Sequence, residues 1–105
     1  MAKPKFNLTV NPTFKAPVNI AIPGGKAVDV EFTFKYRNKD ELKEFVDEMK
    51  GKTDVVLIEE MASGWELDDP FNAESLEKLT QNYPGSSMGI TQVYISELQG
   101  VRAKN

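Results

Sequence analysis

From Val28 to Arg37 the chain alternates apolar and polar side chains without a break. Val28, Val30, Phe32, Phe34 and Tyr36 interleave with Asp29, Glu31, Thr33, Lys35 and Arg37. Successive side chains of a strand point to opposite faces, so this pattern buries one face only as a β-strand. A helix would scatter the same apolar residues around its circumference. A second alternating run, Val18, Ile20 and Ile22, precedes it. Pro23-Gly24-Gly25-Lys26 separates the two with turn chemistry, which predicts an antiparallel hairpin. A further run, Phe6, Leu8 and Val10, extends the strand-rich part over residues 1–37. Pro12 and Pro17 cannot donate to a ladder and belong at edges or bulges. A sheet this small needs a cover on its apolar face.

Residues 38–100 supply that cover, and there the period turns helical. Asn38 caps a first helix with Glu41 completing a capping box, and Leu42, Phe45, Val46 and Met49 form its apolar stripe up to Gly51. Thr53 caps a second, whose Val55, Val56, Leu57, Ile58, Met61 and Ala62 are too apolar for a surface element; it is expected to end at Gly64. Trp65 and Phe71 then fold an acidic loop back onto the core. Asn72 caps a third helix with Leu76, Leu79 and Tyr83 inward, stopped by Pro84-Gly85. Ser86 or Ser87 caps a fourth, carrying Met88, Ile90, Val93, Tyr94, Ile95 and Leu98 before Gly100. That helix is apolar around much of its circumference, so it is sandwiched in the core or meets a partner. The predicted fold is α+β: an N-terminal antiparallel hairpin or small sheet packed against about four helices at 38–100. Length makes 1–105 a single domain, with 101–105 as a flexible tail.

Composition narrows the chemistry. The chain contains no cysteine and no histidine, which removes disulfides, thiol catalysis, the commonest general base and the usual zinc ligands. A net charge of −3 argues against non-specific nucleic-acid binding, although Lys3, Lys5 and Lys15 cluster early and Arg102 and Lys104 lie late. No apolar run reaches a membrane span and the N-terminus lacks a signal-peptide core, so a cytoplasmic protein is expected.

Motif by motif, the ordinary reading wins. Gly51-Lys52-Thr53 resembles the end of a phosphate-binding loop, but the required earlier glycine is replaced by Val46. Glu59, Glu60, Glu66, Asp68 and Asp69 lack the spacing of a calcium loop and read as a solvated acidic loop or a partner-facing patch. Ser63 has no nucleophile frame. No catalytic residue, cofactor or metal site is assigned. Trp65, Phe71, Met88, Tyr94 and Ile95 read first as core or staple residues and second as anchors for a protein partner.

Two segments, Phe32 to Phe45 and Gly64 to Asn105, resemble the tail assembly chaperones of long-tailed bacteriophages. The resemblance lies in an aromatic strand leading into a charged helix and in Gly64-Trp65 with its acidic neighbours followed by Phe71-Asn72. It continues in Leu79 through Asn82-Tyr83-Pro84-Gly85, and in Tyr94 to Leu98 followed by Gly100, Arg102, Lys104 and Asn105. It implies a non-enzymatic helper, absent from the finished virion, that keeps the aggregation-prone tape measure protein soluble in the host bacterial cytoplasm while tail tube subunits polymerise. It also implies self-association, a longer frameshifted form and a largely helical fold; the strands at 1–37 depart from the last. The competing readings are a structural tail or head–tail connector subunit and, less compatible with the composition, a small metal-dependent hydrolase.

Overall fold

The uninterrupted alternation folds as expected. In the computed structural model, which describes residue 6 and residues 8–100, β1 (Thr13–Ile20) and β2 (Val28–Lys35) form an antiparallel hairpin. Phe14, Ala16 and Val18 sit opposite Phe34, Phe32 and Val30, so every facing pair on the inner side is apolar. Thr13, Lys15, Pro17 and Asn19 face Lys35, Thr33, Glu31 and Asp29 on the outer side. The alternating run at Phe6, Leu8 and Val10 forms no strand among its described residues, and all three side chains are exposed. Alternation becomes a strand only where a partner edge and a cover exist. Here β1 begins instead after Pro12 and runs through Pro17 to Ile20, leaving Ile22 beyond it.

Pro17 is tolerated because of its register. Tyr36 N–H donates to Pro12 O at 2.8 Å, and bonding positions alternate along an antiparallel ladder. The backbones of Phe14, Ala16 and Val18 therefore turn to β2, while those of Thr13, Lys15 and Pro17 face the open edge. The missing donor lies at the middle of that edge and blunts it against a further strand.

The second expectation to fail is the length of the apolar helix. It does not reach Gly64. After α1 (Lys39–Asp47), α2 (Asp54–Met61) stops and passes without a loop into β3 (Ala62–Trp65), which pairs antiparallel with the other edge of β2. The sheet order is β1-β2-β3, with an irregularity between Thr33 and Phe34. Strand β2 also secures the end of α2. Lys35 Nζ donates to Glu59 O at 2.9 Å and Arg37 Nη1 to Glu60 O at 2.8 Å, so two last-turn carbonyls of the helix meet cations.

The remaining helices are α3 (Ala73–Asn82) and α4 (Ser86–Gln99). Asn38, Thr53 and Asn72 cap α1, α2 and α3 with side-chain oxygens, and Asn38 and Glu41 make the full reciprocal box. Helix α4 differs. Its N-cap is Gly85 with no side-chain hydrogen bond, not Ser86 or Ser87, which lie buried inside the helix. It ends at Gly100, whose φ of 73° places it in the left-handed region that favours glycine.

The core lies between the inner face of the sheet and the helices. Val18, Phe32, Phe34, Ile58, Met61, Leu76, Ile90 and Tyr94 are fully buried. Burying each large apolar side chain of this kind stabilises the fold by about 1.5–3 kcal/mol. Residues 1–5, 7 and 101–105, including Lys3, Lys5, Arg102, Lys104 and the expected tail, lie outside the described residues.

Candidate interaction surfaces

Among the residues singled out as partner anchors, Tyr94 is the deepest. Its ring stacks on Phe14 at 6.3 Å, tilts against Phe34 at 5.4 Å and meets Phe45 edge-on at 5.7 Å. Its hydroxyl donates to Lys35 O at 2.7 Å and accepts from Arg37 Nη1 at 2.7 Å. The Arg37 guanidinium lies 4.5 Å from the centroid of the Phe45 ring. One phenol thus joins β2, α1 and α4, and through Arg37 the end of α2. Burial pushes its pKa up from the ordinary value, against the lowering effect of Arg37. A residue enclosed this way is a core residue and presents nothing to a partner.

The other four do not converge either. Trp65 and Phe71 meet edge-on at 5.1 Å, and Trp65 also meets Phe32 at 5.7 Å. Trp65 Nε1 donates to Asp69 O at 2.8 Å, closing the acidic loop on itself. Both rings are half-buried against the core, as a staple is. Met88 and Ile95 are seven residues apart on α4, two turns along one face. Met88 is exposed, while Ile95 is half-buried against the core. Of the five, only Met88 is an open apolar side chain.

The larger apolar surface lies elsewhere, at a groove of about 890 Å³ between α1 and the C-terminal end of α4. Tyr36, Leu42, Val46 and Leu98 supply its apolar wall, and Lys39, Lys43 and Asp47 its rim. Val46 belongs to the predicted inward stripe of α1, yet it is 40% exposed. Leu42 and Phe45 face the core and Val46 turns to the groove. A second hollow of about 450 Å³ adjoins through Tyr36 and Leu98 and is walled by Val10, Phe14 and Lys15. Val10, from the run that forms no strand, thus extends the same surface. Helix α1 separates its charges around this groove. Lys39 and Lys43 border it with Asp47, whereas Glu41, Glu44 and Glu48 line a neighbouring hollow with Glu60, Lys35 and Arg37. The Lys43–Asp47 pair at 3.4 Å is highly exposed and adds little. What the sequence could have signalled is this charge segregation, not the groove, which needs α4 brought alongside α1.

Among the described residues no group of three acidic side chains is arranged to hold a metal ion, and no helix is long and apolar enough to cross a membrane.

Comparison with known families decides the assignment. The family model described as phage tail assembly chaperone matches residues 1–105, the whole chain. The chain belongs to the phage tail assembly chaperones. No match is found among curated proteins or among solved structures. For this chaperone the strands at the N-terminus are therefore part of the matched family region, together with the helices. A tail assembly role requires protein partners.

Proposed function

We propose that this chaperone binds the tape measure protein of its phage, holds it soluble during tail assembly, and leaves before the virion is complete. The family match along the entire chain carries the reading. The groove beside α1 supports it physically. An apolar stripe of a helical client resting on Tyr36, Val46 and Leu98 is withheld from aggregation without any covalent step. Acidic residues elsewhere on the surface keep the complex soluble. In this reading the client rests in the α1–α4 groove, with Met88 as an outlying contact, and does not touch the buried Tyr94.

Co-expression with the tape measure protein tests this directly. The expected result is a soluble complex that co-elutes on size exclusion, with the client insoluble when made alone. Recovery of this chain in purified tails, with no complex, would move it to the structural subunits of the tail or head–tail connector.

A further inference from the structure

The chain holds a strand pattern without an edge and an edge without a strand. Phe6, Leu8 and Val10 have strand alternation, yet they pair with nothing among the described residues and are 76%, 90% and 49% exposed. Strand β3 pairs with β2 along one edge and packs on α2. Among the described residues nothing pairs with its second edge, and Ser63 there is exposed while Gly64 and Trp65 are half-buried. An unpaired edge is a template for a further strand.

The arm cannot use its own sheet. Folding back on β1 needs a two-residue turn at Asn11-Pro12, with proline in the second central position, where it is disfavoured. Pro12 O is also held by Tyr36 N–H, and Pro17 removes a donor from that edge. Lying beside β3 means crossing three strand spacings, about 14 Å. The three residue steps from Val10 to Thr13 reach at most about 11 Å. Charge separates in the same direction. Residues 1–28 contain Lys3, Lys5, Lys15 and Lys26 and no acidic residue, whereas residues 53–77, with β3 and its following loop, contain acidic residues and no basic one. Every copy thus carries a basic arm and an acidic edge.

We propose that the N-terminal arm of one copy adds as a strand to the β3 edge of a second copy. Main-chain bonds complete the edge, as in other strand additions. The apolar side of the arm lies beside Trp65, where a hollow of about 240 Å³ is bordered by Leu67, Leu79 and Tyr83. The lysines before Phe6 meet the acidic loop at Glu66, Asp68 and Asp69. Donor and acceptor are different surfaces, so the contact is heterologous: each copy gives one arm and receives another. The contact is separate from the α1–α4 groove and does not rest on tape measure binding.

The test is sedimentation of the full chain over a concentration series at low and high salt. The mass is expected to rise with concentration and to fall with added salt. Phe6→Asp with Leu8→Asp disables the arm, and Asp68→Lys with Asp69→Lys disables the edge. All four side chains are exposed, so both variants keep the fold, checked by their urea midpoints. Each alone should stay monomeric. Mixed, they should form a one-to-one dimer and nothing larger, because one intact arm meets one intact edge. The chain has no cysteine, so Thr9→Cys and Ser63→Cys, oxidised together, should give a disulfide between the two variants in preference to one within either. A monomer at every concentration, self-association that survives the arm variant, or a mixture that stays monomeric overturns the proposal. Tape measure protein held soluble by a chain that fails these tests would leave the groove reading standing and strike this one alone.

Discussion

Tyr94 shows how far one residue's surroundings determine what it can do. From sequence it stands on an over-apolar helix, where it reads first as core and second as a partner anchor. The structure closes three aromatic rings around it and commits its hydroxyl to Lys35 O and Arg37. Tyr94→Phe keeps the ring and removes both bonds. It is expected to cost about 1–3 kcal/mol, measured by urea unfolding, because a backbone carbonyl and a guanidinium lose their partner. The cost depends on pH. Burial favours the neutral phenol, so the folded-state pKa lies above the ordinary 10.0. A raised pKa means that the folded chain holds the proton more tightly than the unfolded chain does. This contribution is full below pH 10 and is lost as pH climbs through the folded value. The gap between the native chain and Tyr94→Phe should therefore be widest near pH ~8 and narrow at pH ~11. A gap that stays constant across that range would mean that the phenol does not titrate with unfolding.

At the scale of elements, the caps and the hairpin were legible and the third strand was not. Asn38, Thr53 and Asn72 are local signals, since a cap and the N–H it accepts from lie three residues apart. Asn38→Ala removes the Oδ1 that accepts from Glu41 N–H, leaves the backbone arm to Glu41 Oε1, and should cost ~1 kcal/mol by the same urea measurement. Asn72→Ala should cost a similar amount on α3. The strand Ala62–Trp65 offers no local signal. It is four residues long, contains Gly64, and comes directly after an apolar helix in continuous sequence. It becomes a strand because β2 presents an unpaired edge, a tertiary fact that overrides helix propensity. Once there, Trp65 Nε1–H and the Phe71 ring lock the turn beyond it. Phe6, Leu8 and Val10 illustrate the reverse case, a good local pattern whose described residues pair with no strand and stay exposed. Helix α4 lies between these cases: its existence is plain from the apolar content, but its N-cap is not. Ser86 and Ser87 have the right chemistry for caps, yet the bond from Gly89 N–H to Gly85 O at 3.1 Å makes Gly85 the cap and puts both serines inside the helix.

Across the whole molecule, function separates from the residues most conspicuous in the sequence. The single tryptophan and the aromatic cluster hold sheet and helices together. The groove proposed for a partner is lined by Tyr36, Val46 and Leu98, which become neighbours only when α4 returns alongside α1. That division makes the proposed client site separable from stability. Val46 is 40% exposed, so Val46→Asp should change unfolding by less than ~1 kcal/mol. The same change places a carboxylate where a client's apolar stripe would rest, and desolvating it there is costly. It should abolish recovery of soluble tape measure protein on co-expression while the far-ultraviolet spectrum and urea midpoint hold. Lys39→Glu with Lys43→Glu tests the rim. If the client carries acidic residues beside its stripe, this double change weakens the complex, and added salt weakens the native complex in the same way. Met88→Asp, on the distant part of α4, should leave most of the binding intact. Full loss from Met88→Asp together with full retention in Val46→Asp would transfer the client site from the groove to the outer face of α4.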